Sequence, residues 1–199
     1  MAKLSESDLK IRAETVARQC NGILPQFEAF YIHSIAYAAD SSESAFKRFD
    51  KAIEECMPST SIVSSIHEAL TQAGALSRFF WPMKTERELS VARGKRLRDA
   101  FNLDDSSPLK WRKLRNSFEH FDEDLDRFLL KDLAGTIVPS PLVSDHVIAD
   151  EPTNHIFKMV DPRNGVCVVL GEKFEFQPIR REVHRVLSRA HEMAKRGHL

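Results

Sequence analysis

Arg115, Asn116 and His120 are the residues whose types and spacing suit a reaction. An exposed imidazole titrates near neutral pH, so it can take or give a proton. A guanidinium keeps its charge at every working pH and grips phosphate with a planar fork of donors. Asn116 and His120 stand four residues apart, so on a helix their side chains can meet. The amide could then orient the ring or hold a phosphate oxygen. Together these groups can move protons and stabilise charge around a phosphate ester without a metal.

Such a cluster needs a helix to hold it. Trp111, Leu114, Phe118, Phe121, Leu125, Phe128 and Leu129 recur every three or four residues, which predicts a helix from Leu109 to Leu130 with one buried stripe. Asn116, Glu119, His120 and Glu123 fall well off that stripe, so His120 should face away from the core. Arg115 lies on the shoulder and can reach the same surface. Asp104-Asp105-Ser106-Ser107-Pro108 supplies the turn that opens the helix.

The Arg115-Asn116-x-x-x-His120 pattern resembles the HEPN superfamily, small helical domains marked by an Arg and a His with four to six residues between them and a polar residue after the Arg. Arg185 and His191 also have that spacing, but Val186 follows the Arg and the polar requirement fails. The resemblance implies a metal-independent endoribonuclease whose motifs face each other across a homodimer, in a prokaryotic toxin or defence setting with an antitoxin or defence partner protein.

In such an enzyme one group takes the ribose 2′-OH proton and another protonates the leaving 5′-oxygen, giving a 2′,3′-cyclic phosphate and a 5′-hydroxyl. His120 suits either proton role, Arg115 suits the charged phosphorane, and a second copy across a two-fold axis supplies the missing group. Arg96, Arg98 and Arg112 are the bases expected to hold RNA. The sequence departs from the HEPN toxins at Asp122, where those carry a Tyr. Glu119, Asp122, Glu123 and Asp124 add negative charge beside the motif. A catalytically inactive HEPN-like module that binds RNA, a nucleotide or a protein partner is the alternative reading, and a helical scaffold unrelated to HEPN is the third.

Ahead of the motif, Ser5 with Asp8 reads as a cap for a helix ending at Asn21-Gly22. Pro25 opens a second helical stretch, with Phe27, Tyr31, Ile35 and Ala39 on one side. Asp40 to Ser44 either breaks it or lets it run on through Phe46, Phe49 and Ile53. A third helix runs to Phe80, and a basic fourth spans Glu86 to Phe101 with Arg87, Arg93, Lys95, Arg96 and Arg98 mostly outward. Ile156–Val160 and Val166–Leu170 flank Asn164-Gly165 as a hairpin, with Lys173 to Phe176 as a third strand. Pro178 opens a last helix striped by Ile179, Val183, Val186, Leu187, Ala190 and Met193. These elements predict a mainly α protein, an antiparallel bundle of four to five helices with a small β-hairpin and a C-terminal helix. It reads as one domain, residues 1–131 forming the bundle and 132–199 packing on it.

A hydrophobic fraction of 42% in 199 residues supports a folded core. Formal charge is zero but unevenly spread. Residues 84–115 carry ten Lys/Arg against five acids, residues 178–199 six against two, and residues 116–151 nine acids against two bases. Cys20, Cys56 and Cys167 form no C-x-x-C pair, which argues for reduced thiols and no zinc site. His184, His191 and His198 are too far apart for one metal and read as a solvated basic face. No phosphate-binding or dinucleotide glycine pattern and no Gly-x-Ser-x-Gly elbow is present. Neither a signal peptide nor an apolar run of about 18 residues occurs, so a cytoplasmic protein without a membrane span, metal or cofactor is expected.

Overall fold

Ser5 opens the first helix. Its hydroxyl accepts the Asp8 amide at 3.2 Å, and α1 covers Glu6–Gln19. Asn21 and Gly22 end it in left-handed backbone, φ 48° and 81°, and the Gly22 amide closes back on the Val16 carbonyl at 3.0 Å. After a 3-10 turn at Pro25–Phe27, α2 runs unbroken over Glu28–Glu54. Of the two possibilities left by the sequence, one long helix is the one that forms. Its polar middle is no break because Ser42 is buried and donates to the Ala69 carbonyl at 2.8 Å. Phe27, expected on one helix side with Tyr31, Ile35 and Ala39, sits in the 3-10 turn and is exposed, its ring edge-on to Phe30 at 6.0 Å.

This computed structural model describes residues 5–82, 87–111, 117, 121–131 and 134–199. A four-residue turn reverses the chain from α2 into α3 (Ser59–Phe80), and α4 covers Glu88–Phe101, ending on Asn102 at φ 54°. Gly94 in mid-helix, a residue that costs helix stability, has a packing reason. A Cβ there would stand 2.8 Å from the Phe80 carbonyl oxygen, so glycine lets α4 approach the end of α3.

The first residues of the expected motif helix, Leu109 to Trp111, do not form an α-helix. Pro108–Lys110 makes a 3-10 turn capped by Ser107, and Trp111 leaves it in extended backbone, ψ 90°. Helix α5 covers Phe121–Lys131. Trp111 is therefore not on the stripe. Its ring turns instead to Phe174, 5.4 Å away and edge-on. Phe121, Leu125 and Phe128 do pack against the core, whereas Leu129 is exposed. Leu114 and Phe118 lie outside the described residues.

Beyond α5 the chain forms more strand than one hairpin. Strand β1 (Thr136–Val138) pairs in parallel with β3 (Asn154–Ile156). A four-stranded sheet, in the order β2-β4-β5-β6, comprises Leu142–Val143, Lys158–Asp161, Val166–Val169 and Glu172–Glu175. β4 and β5 form the expected hairpin around Asn164-Gly165. β5 stops at Val169 because Leu170 and Gly171 both take positive φ, 48° and 78°, the two-residue turn that matches strand twist. The last helix, α6, covers Phe176–Arg196 and buries the stripe read from the sequence, Ile179 to Met193.

One continuous apolar cluster joins these layers. It runs from Ile35, Phe46 and Phe49 of α2 through Ile66, Leu70 and Phe80 of α3 to Val160, Cys167 and Phe174 of the sheet and Val183 and Val186 of α6. The chain is thus mainly α with a small mixed β-layer and a C-terminal helix. No helix among the described residues is long and apolar enough to cross a membrane.

Gly22 tests the first turn. Its positive φ disfavours any side chain, and a Cβ would meet the Arg93 amide nitrogen at 2.1 Å. Gly22→Ala is expected to cost at least ~2 kcal/mol, a fall of about 4–8 °C in thermal melting. An unchanged Tm would contradict the packing of this turn on α4.

Candidate functional site

Arg112, Arg115, Asn116 and His120 lie outside the described residues, but both flanks of their segment are described. On one side, Trp111 rests on Phe174 of β6. On the other, Phe121 of α5 has its ring edge-on to Phe157 at 5.5 Å, and the Lys158 ammonium of β4 sits 4.4 Å from the Phe121 ring centre. The two ends of the motif segment are therefore held by strands of one sheet, with β5 between them.

Lys158 is half-buried, and its Nζ is 3.3 Å from Nδ1 of His67 on α3. Burial, reinforced by the Lys158 charge, pushes the His67 imidazole down from 6.5 to about 4. Burial also lowers the Lys158 ammonium and pushes the buried Cys167 thiol up to about 12. The group under α5 thus combines a cation between two aromatic rings with a neutral histidine.

The two described candidates for RNA binding are engaged inside the fold. Arg96 was expected to face outward, yet it donates to the carbonyls of Cys20 and Ile23, both at 2.8 Å, and pairs with buried Glu28. Arg98 donates to the Phe80 carbonyl, with its guanidinium 5.9 Å from the Trp81 ring. The physical reason is shared: α4 packs where helix ends expose carbonyls, and long basic side chains satisfy them. The basic stretch of α6 is used likewise. Arg185 donates to the carbonyls of Phe101 and Asn102, and Arg189 to that of Ala100, all at the C-terminal end of α4.

Beside the motif's N-terminal flank lies a groove of about 910 Å³. It is bounded by the 105–108 turn, Lys110 and Trp111, by His146, and by Val166, Lys173 and Glu175 of the sheet. His146 went unread in the sequence, where it sits in a Pro-broken segment without periodicity. Its Nδ1 is 2.8 Å from Oδ2 of Asp161, which is 2% exposed. Asp161 also accepts the amides of His146, Arg163 and Asn164, each at 3.1 Å, and the Asn164 side chain at 2.8 Å. Burial alone would raise its carboxyl, but these donors outweigh that and hold it well below the usual carboxylate range. An ionised carboxylate only accepts, so Nδ1 carries the proton and a neutral His146 presents its lone pair at Nε2.

Asp145, His146 and Asp161 together have the composition of a cation site, with candidate ligand atoms within 4.8 Å of one another. Those atoms are already occupied. Asp145 Oδ1 caps the Val147 amide at 2.9 Å, and His146 Nδ1 gives its proton to Asp161. A metal would have to displace these hydrogen bonds, so the cluster reads as a carboxylate-oriented histidine.

Comparisons of this chain with protein-family models, with curated proteins and with solved structures find no match.

Two measurements check these assignments. Arg96→Leu leaves the Glu28 carboxylate buried without its cation and is expected to cost about 3–5 kcal/mol. Any loss of RNA binding in that variant should therefore come with a lowered Tm. For His67, the unfolded chain takes up its proton near pH 6.5 and the folded chain near 4, so stability is lost as pH falls through that window. Allowing for its partial exposure, the loss is about 2 kcal/mol, and His67→Gln should flatten the stability profile between those pH values in chemical denaturation.

Proposed function

We propose that this chain is a metal-independent endoribonuclease of HEPN type, cleaving RNA by attack of a ribose 2′-OH. The observation that carries the reading is the run Arg115-Asn116-x-x-x-His120, which lies in the sequence between Trp111 and Phe121. Two further features support it. The fold is mainly helical, as the resemblance implies, and a groove large enough for a nucleotide opens beside the motif's N-terminal flank.

In this reading Arg115 neutralises the charge that builds on phosphorus, His120 transfers a proton, and Asn116 orients the ring or holds a phosphate oxygen. Arg112 is the remaining candidate for backbone contact, since Arg96 and Arg98 are committed to the bundle. A homodimer with facing motifs, and a toxin or defence role with a partner protein, are proposed on the resemblance alone. The internal use of Arg96 and Arg98 favours one alternative, a catalytically inactive module that holds RNA or a nucleotide weakly.

Purified protein should cut RNA in EDTA, leaving 2′,3′-cyclic phosphate and 5′-hydroxyl ends. Arg115→Ala and His120→Ala should each lower the rate by about 10²-fold or more with Tm within a few degrees of wild type. Cutting that persists in both variants rejects the site, and salt-sensitive RNA retention without cutting identifies the binding module.

A further inference from the structure

Strand register assembles one wall of the groove beside Trp111. Asp161, Val166 and Glu175 are cross-strand partners in β4, β5 and β6, so their side chains stand in a row on one face of the sheet. Lys173, two residues before Glu175, shares that face on the edge strand. The 3-10 helix His146–Asp150 is tied to the same face at both ends. His146 reaches Asp161 through Nδ1 at 2.8 Å and through its amide at 3.1 Å, and the Lys173 ammonium donates to Asp150 at 2.6 Å. Asp161 is held in turn by the amides of Arg163 and Asn164, which fixes the setting of the ring. Nε2 of His146 has no partner among the described residues, and the side chain is 25% exposed where it lines the groove.

The groove's lining suits a flat ring joined to a phosphate. Trp111 is 41% exposed and meets Phe174 only edge-on, which leaves ring surface for stacking. Lys110 and Lys173 line the same space, and each pairs with a carboxylate more exposed than itself, Asp105 at 2.8 Å and Asp150 at 2.6 Å. A carboxylate standing in water holds a lysine weakly, whereas a phosphomonoester brings about two charges and three acceptor oxygens. Glu175 adds an acceptor suited to sugar hydroxyls. A volume of about 910 Å³ is of the size that takes a small organic ligand.

The charges around the groove favour a single nucleotide over a strand. Asp105 and Glu175 line it beside the two lysines, and Asp104 and Asp150 adjoin it, so a strand leaving the groove would carry its next phosphates past carboxylates. Arg96, Arg98, Arg185 and Arg189 spend their donors on backbone carbonyls and extend no basic track from it.

We propose that this groove binds one free mononucleotide, its base stacked on Trp111 and its terminal phosphate met by Lys110, Lys173 and Nε2 of His146. Glu175 accepts from the ribose hydroxyls. Every group named lies outside the Arg115–His120 run, so the inference stands apart from the ribonuclease reading.

The test uses the full chain with ¹⁵N-labelled histidine and adenosine 5′-monophosphate as the probe. Adenosine, inorganic phosphate and a short adenine RNA with unphosphorylated ends serve as comparisons. Calorimetric titration should give one site per chain, with adenosine and phosphate each about tenfold weaker than the nucleotide or more. Trp111→Ala and Lys173→Gln should each raise Kd about tenfold with Tm within a few degrees of wild type. The tryptophan change should weaken adenosine too, and the lysine change should not. If Trp111→Ala lowers Tm, Trp111→Phe keeps a stacking ring and should restore nucleotide binding. In the labelled protein the His146 Nε2 signal should move on titration while Nδ1 stays protonated. No saturable binding at millimolar nucleotide, an unmoved Nε2 signal, or an unchanged Kd in both variants overturns the site. A short RNA that binds more tightly than the mononucleotide and moves the same signal overturns the single-nucleotide occupant. None of these readouts uses RNA cleavage, so a failure here and a failure of the ribonuclease reading are told apart.

Discussion

The ion pair between Arg96 and Glu28 ties together four separate parts of this molecule. Glu28 sits in the first turn of the longest helix, nearly closed to solvent, and Arg96 reaches it from α4 while donating to the carbonyls of Cys20 and Ile23. The amide of Leu199, beyond α6, comes to the same carboxylate at 3.0 Å. One charge pair thus gathers the end of α1, the start of α2, the middle of α4 and the C-terminus. Each donor offsets part of the cost of taking these charges out of water, so the cluster holds as a unit and is expensive to break singly.

From that end of the bundle, α2 and α3 run the length of the molecule to the sheet, where a second buried carboxylate governs. Asp161 fastens the β4–β5 turn and the 3-10 helix that carries His146. The sheet also holds both described flanks of the motif segment, Trp111 through Phe174 and Phe121 through Phe157 and Lys158. The same β-layer lines the groove beside Trp111, which contains an oriented imidazole.

The charge pattern takes a different meaning in three dimensions. Basic runs before the motif and near the C-terminus look along the chain like a track for a polyanion. In the fold, Arg96, Arg98, Arg185 and Arg189 spend their donors on carbonyls at helix ends, where the backbone dipole favours cations. At the groove stand two lysines, Lys110 and Lys173, each paired with a more exposed carboxylate.

The sequence by itself determined the helical class, the stripe of α6 from Ile179 to Met193, the cap at Ser5 and the Asn164-Gly165 hairpin. Each is a local matter, settled by side-chain period or by backbone preference within a few residues. It also marked Arg115, Asn116 and His120 by type and spacing. Tertiary structure decided the rest. It carried α2 unbroken past Ser42 because a carbonyl of α3 stood ready to accept the buried hydroxyl. It drew Trp111 off the predicted helix onto Phe174 and turned Arg96 inward. It joined His146 to Asp161, 15 residues away, across a loop with no period to read. Such pairings depend on which distant group fills a vacant donor, acceptor or ring edge, and no local rule in the chain records that choice.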